Sequence, residues 1–256
     1  MKIRVLDRTH CVLAESEHED ECMLCVRRVY EEGDRVEVEG SAHMFVQMDQ
    51  GIPAGEVFAP TGTMTWTVPF GEHRLAYAPG IFEADRHVIC ARNMEHSLLS
   101  SVRNIACNPS DLRGQTDFYP HCTANVETRN EACFCARNVI DGMRLNTSHG
   151  EWPFQSWGIG AREDAWCMLD FGREVCFERV AMVLRADFPH DAYWTKGHMV
   201  TSEGEEFTFD LQKTGERQWI QASGRARWLR LERLIKSDDP SAFPALIEWE
   251  VYGKDA

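Results

Sequence analysis

A chain of 256 residues has room for two compact domains or one large one, and 43% apolar with 27% charged residues lets either half bury a core. The formal net charge of −14, from 41 acidic and 27 basic residues, opposes the phosphate neutralisation that nucleic-acid binding needs and disfavours anionic membrane surfaces, but not a neutral partner such as a sugar. No stretch approaches the roughly 20 apolar residues of a spanning helix, and Met1-Lys2-Ile3-Arg4-Val5-Leu6-Asp7-Arg8 breaks into charge before a signal-peptide core can form. The expectation is a cytoplasmic protein whose ten cysteines are reduced thiols.

Along the chain, short apolar runs alternate or cluster between Gly, Pro, Asp and Asn, the pattern of strands rather than helices. Strands are predicted at 2–6, 23–30, 35–38, 43–48, 63–68 and 87–91. Cys22-Met23-Leu24-Cys25 has the spacing of a zinc pair but lies in a strand-like run, and buried structural thiols are the reading adopted. Pro69-Phe70-Gly71-Glu72-His73-Arg74, followed by Tyr77-Ala78-Pro79-Gly80, is distinctive and carries no assigned mechanism.

A short connecting helix is predicted at 94–106. Asn108-Pro109-Ser110-Asp111 reads as a turn or cap, with Gly114 and Pro120 close behind. The division is therefore 1–105, a β-sandwich of uncertain relationship, and 106–256, a second β-sandwich with an N-terminal linker. Cys133-Phe134-Cys135 reads as part of a strand with both thiols on one side. Further strands are predicted at 167–171, 179–185, 198–202, 206–211, 218–221, 226–233 and 245–252, so the fold class is all-β, two jelly-roll sandwiches.

Within the second half the landmarks run in order: Ala136-Arg137-Asn138-Val139-Ile140-Asp141-Gly142, Ser156-Trp157, Trp166-Cys167-Met168-Leu169-Asp170-Phe171-Gly172, Val200-Thr201-Ser202-Glu203-Gly204, Ala226-Arg227-Trp228-Leu229-Arg230-Leu231 and Ile247-Glu248-Trp249-Glu250-Val251-Tyr252-Gly253. In this order they resemble the discoidin, or coagulation-factor type C, family of galactose-binding-like jelly rolls, over roughly 120–253. The resemblance implies a sandwich whose loops at one end hold a ligand, carbohydrate in the sugar-binding relatives, and a structural calcium beside the Asp-Gly turn.

Two loops have the composition a sugar site needs, aromatic faces for C–H surfaces and fixed polar groups for hydroxyls. From 146–157 the candidates are Asn146, His149 and Trp152; from 185–194 they are Arg185, Asp187, His190, Asp191 and Trp194. Trp157, Trp166, Trp228 and Trp249 are assigned to packing. By resemblance, calcium would take the carboxylates of Asp141 and Glu248, the carbonyl of Asn138 and a group at Asn146, although Met143 stands where relatives can offer a polar side chain. The functional expectation is a non-catalytic, lectin-like carbohydrate-binding protein. The alternatives are a glycoside-processing enzyme using Asp187 with Asp191 or Glu151 and the histidines, and a protein-interaction module.

Overall fold

The computed structural model describes residues 1–114, 116–147, 150–186 and 192–256. The first eight strands are β1 (Lys2–Leu6), β2 (Val12–Glu17), β3 (Glu21–Val26), β4 (Arg35–Glu39), β5 (His43–Gln47), β6 (Gly55–Phe58), β7 (Thr63–Thr67) and β8 (His87–Asn93). They form two antiparallel four-stranded sheets, β2-β1-β4-β7 and β3-β8-β5-β6. Ile3, Val5, Val36, Val38, Met64 and Trp66 point inward from one sheet; Cys22, Leu24, Val26, Met44, Val46, Val57, Ile89 and Ala91 point inward from the other. Period-two alternation thus closes the first sandwich around one core.

Two of these strands escape the sequence pattern. β2 is an edge strand whose Val12 and Leu13 are exposed, and β6 is four residues long. β3 ends at Val26, short of residue 30. Cys22 is buried and Cys25 exposed, on opposite faces of β3, so the two thiols cannot share one ion. The connecting helix predicted at 94–106 is a single turn, His96–Leu99. Beyond that turn the chain enters β9 (Arg103–Asn104), which pairs into the second sandwich.

The second sandwich continues with β10 (His121–Ala124), β11 (Trp157–Gly158), β12 (Cys167–Arg185), β13 (Trp194–Thr201), β14 (Glu206–Asp210), β15 (Gln218–Ile220), β16 (Gly224–Lys236) and β17 (Ala245–Asp255). The two strands read at 167–171 and 179–185 are one 19-residue strand. Its first part pairs with β10 and β16, its second with β15 and β17. A strand that leaves one layer and joins the other needs a bend, and it comes at Gly172, with φ +66° and a register jump between Asp170 and Val175. Between the layers lie Trp157, Trp194, Trp249, Leu169, Phe171, Leu229, Leu231 and Val251. Truncating any of these indoles to alanine should cost about 3–5 kcal/mol. Cys133 and Cys135 do not lie on a strand: Ala132–Phe134 is a 3₁₀ turn. All ten cysteines are free thiols.

The two sandwiches are fastened by charge. Arg103 donates to both carboxylate oxygens of Glu56 at 2.6 Å and to Asp255 at 3.0 Å. Arg173 reaches Asp255 at 3.0 Å and Glu56 at 3.1 Å, and His43 lies 3.2 Å from Asp255. Burial works against ionisation of Glu56, but Arg103, His43 and Arg173 outweigh it and hold its pKa down at about 2. On a second contact line, Glu72 accepts from the Ala132 amide, and buried Arg137 donates to the carbonyls of Ala76 and Pro109.

Gly172→Ala would drive a methyl group into the Tyr119 ring while forcing alanine into the left-handed region. Gly204, φ +85°, has nothing within 4 Å of such a methyl. Urea unfolding should therefore show a loss of about 1–2 kcal/mol for Gly204→Ala, from backbone strain alone, and about 1–3 kcal/mol more for Gly172→Ala.

Candidate functional site

At one end of the second sandwich three neighbouring strands present a row of residues in register. Gly158 of β11 faces Ala245 of β17, and Ala245 faces Arg185, the last residue of β12. Two residues with little or no side chain beside an arginine leave space over the sheet end. A cleft of about 280 Å³ occupies it, lined by this row together with Thr128, Arg129, Phe134, Gly150, Phe154, Phe243 and Pro244. A methyl group on Gly158 would meet Thr128 Oγ1 at 2.5 Å, and the same hydroxyl accepts from the Gly160 amide at 2.9 Å.

The walls are aromatic. Phe134 and Phe154 meet edge to face, centroids 6.1 Å apart at 80°. Arg129 lies 5.2 Å over Phe134 and is held by Glu131 through two contacts of 2.7 Å. Phe243 is 48% exposed, so its ring remains open to a ligand, whereas Arg185 is 2% exposed at the base. The Arg185 guanidinium is already engaged within the protein, and at the base of the cleft it sets a fixed, buried positive charge where water is scarce.

A second cluster lies along β17. Glu248 Oε1 accepts from the Gly142 amide at 3.2 Å, while its Oε2 is buried without a hydrogen-bond partner. Asp141 accepts from the Met143 amide at 2.8 Å and lies 3.6 Å from Arg137. Burial pushes the Asp141 carboxyl up, against the lowering effect of Arg137. Burial first, then the charges of Asp141 and Glu250, raise Glu248 well above the carboxylate range. Both amide atoms of Asn146 are buried and unpartnered. An unpartnered Glu248 oxygen beside a second buried carboxyl that also resists ionisation is an arrangement a hard cation relieves. The Asn138 side chain is committed elsewhere: its Nδ2 donates to the Ala132 carbonyl at 2.9 Å and to Ser156 at 3.4 Å.

The structure gathers only part of the residues expected from sequence. Arg185 lies in the cleft, beside Gly150 and Phe154 of the 146–157 loop. Trp152 instead lines a separate cavity with Ile52, Tyr77, Arg137 and Asp141, at the junction with the first sandwich. Trp194 is not a loop residue; it opens β13 at 1% exposure, 6.1 Å from Trp157. Both amide atoms of Asn146 are buried without a hydrogen-bond partner. Trp157 and Trp249 are core, whereas Trp166 and Trp228 are half-buried. His149, Asp187, His190 and Asp191 lie outside the described residues. Sequence reasoning passed over Phe134, Phe154 and Phe243. Pro153 before Phe154 and Pro244 after Phe243 were the available signal, since proline in a loop fixes where its neighbour points.

No protein-family model matches the sequence, and no curated protein does. Solved structures similar to the chain include chitosan-binding module 1 of a chitosanase/glucanase from Paenibacillus sp. IK-5. It is 19% identical, with a TM-score of 0.41, over 60% of this chain and 100% of that one. A family 32 carbohydrate-binding module from C. perfringens NanJ, in complex with galactose, is 15% identical with a TM-score of 0.39, over 51% and 91%. A Streptococcus pneumoniae fucose binding module is 16% identical with a TM-score of 0.41, over 59% and 95%.

Because Asp141 and Glu248 have folded pKa values above their unfolded ones, their stabilising contribution is complete below the unfolded carboxylate range, near pH 4. It is lost as pH rises through the raised values. In chelator, Glu248→Gln should therefore raise the thermal midpoint at pH 7 by a few degrees and leave it nearly unchanged at pH 4.

Proposed function

We propose that the protein binds carbohydrate, without transforming it, in the cleft at the end of β12. The observation that carries this reading is the Gly158–Ala245–Arg185 row under three phenylalanines. Phenylalanine faces take the C–H surface of a pyranose, and Arg185 donates to its hydroxyls. The similar modules, one chitosan-binding, one in complex with galactose and one fucose-binding, belong to the same ligand class.

A site of this size gives modest affinity. At about 0.3 kcal/mol per non-hydrogen atom, a hexose of about twelve such atoms gains roughly 4 kcal/mol, a Kd near millimolar. Calorimetry against a panel of neutral mono- and oligosaccharides should find at least one ligand. Arg185→Ala should weaken it about tenfold or more, as expected for losing a charged hydrogen bond of about 1.5–3 kcal/mol. Binding to no glycan, or a full-strength Arg185→Ala variant, would sink the assignment.

Calcium is the cation proposed for the β17 cluster, held by Asp141 and Glu248 with the amide oxygen of Asn146 and the carbonyl of Asn138. Bound there, it would neutralise the buried carboxyls and tie the 141–146 loop to β17. Millimolar calcium should raise the unfolding temperature of the wild-type protein at pH 7 and leave Glu248→Gln unmoved; equal shifts in both proteins would place the ion elsewhere.

A further inference from the structure

The distinctive segment Pro69-Phe70-Gly71-Glu72-His73-Arg74 has no part in the sugar cleft. It forms one wall of a different cavity, about 390 Å³, between the two sandwiches. The floor is Tyr77 and Arg137, the guanidinium lying 4.7 Å over the phenol ring. Arg137 is 2% exposed, and its Nε has no hydrogen-bond partner in the protein. The carboxylates that act on it are Asp141, at 3.6 Å, and Asp111. A buried cation with an N–H donor left over gains from an anion that reaches it through the cavity.

The wall and rim fit the same ligand. Phe70 is 38% exposed, and its ring is fixed from one side by Arg74 at 4.8 Å. Arg74 is itself tied to the Pro69 and Phe82 carbonyls, so the aromatic wall is set before a ligand arrives. His73 is exposed at the rim, and Arg113, held by Glu127 at 2.7 Å, faces the same space. Among the described residues lining this cavity, Glu32 is the only carboxylate. Pockets of this size at domain junctions, aromatic with a few convergent polar groups, are where small ligands bind.

We propose that this junction cavity is a second ligand site, independent of the sugar cleft, for a small six-membered-ring compound bearing a carboxylate. The ring lies against Phe70, and the carboxylate points toward His73 and Arg137. Such chemistry comes from a sugar acid or from an aromatic acid, and the probes separate the two. Full-length protein is titrated calorimetrically with D-glucuronate, with D-glucose as its neutral parent, and with benzoate. Either carboxylate should bind at least tenfold more tightly than D-glucose, glucuronate indicating the sugar source and benzoate the aromatic one. Phe70→Ala and His73→Ala alter exposed side chains, so their unfolding midpoints should stay at the wild-type value, and each should lose at least fivefold in affinity. Arg185→Ala should bind the carboxylate normally. The proposal fails if neither acid binds, if D-glucose binds as tightly, or if Arg185→Ala abolishes the signal while Phe70→Ala keeps it.

Discussion

The continuity of β12 is the constraint on which the rest of the protein depends. Nineteen residues pair first with one layer of the second sandwich and then with the other, so the layers cannot slide without breaking the same strand twice. Near its bend, Arg173 joins the charge network that fastens the first sandwich. At its far end, Arg185 is delivered to the cleft beside Ala245. The bend requires Gly172, because the Tyr119 ring occupies the space any side chain there would need. One strand therefore fixes both the architecture and the position of the guanidinium that the binding reading uses.

The first sandwich has a physical part in that site although it contributes no residue to the cleft. Glu72 holds the amide of Ala132, Arg137 donates to the Ala76 carbonyl, and Gln155 donates to Leu75 at 3.2 Å. Each contact braces the 3₁₀ turns at 132–140 or the loop at 155, which carry Phe134 and Phe154. Asn138 adds a strut from within by bridging the carbonyls of Ala132 and Ser156. An aromatic wall on irregular backbone stays in place only if the backbone's polar groups are satisfied, and here part of that satisfaction comes across the domain junction.

Most strands were readable because their alternation is local: Ile3 and Val5, or Leu169 and Phe171, announce a half-buried strand from neighbours two apart. The strands missed lacked that local signal. β2 is an edge with little to bury, and the predicted helix at 94–106 was drawn away by β17, whose pairing with Arg103–Asn104 is invisible at short range. The site obeyed the same rule. Arg185 could be picked out as a candidate because it ends a long apolar run. Its partners could not, since Gly158 and Ala245 matter only through a register linking positions far apart in the chain. Trp152 and Trp194 drew attention as large aromatics in polar stretches, but an indole hides as much apolar area as any side chain. Trp194 went to the core accordingly, and phenylalanines line the rim.

β17 joins the two candidate binding features. Ala245 lies under the cleft and Glu248 in the carboxyl cluster, three residues apart on a strand that is buried along most of its length. Strict alternation would send these two side chains to opposite faces. The ladder slips in between: Val183 pairs with Glu248 and Leu184 with Leu246, leaving Ile247 as an extra residue. A bulge of this kind re-aims the side chains beyond it, which turns Glu248 toward the Gly142 amide. The 141–146 loop then continues into Gly150 and Phe154 of the cleft wall. A cation drawing Asp141 and Glu248 together would therefore act on the same loop that shapes the cleft, and the bulge at Ile247 is what lets one strand serve both.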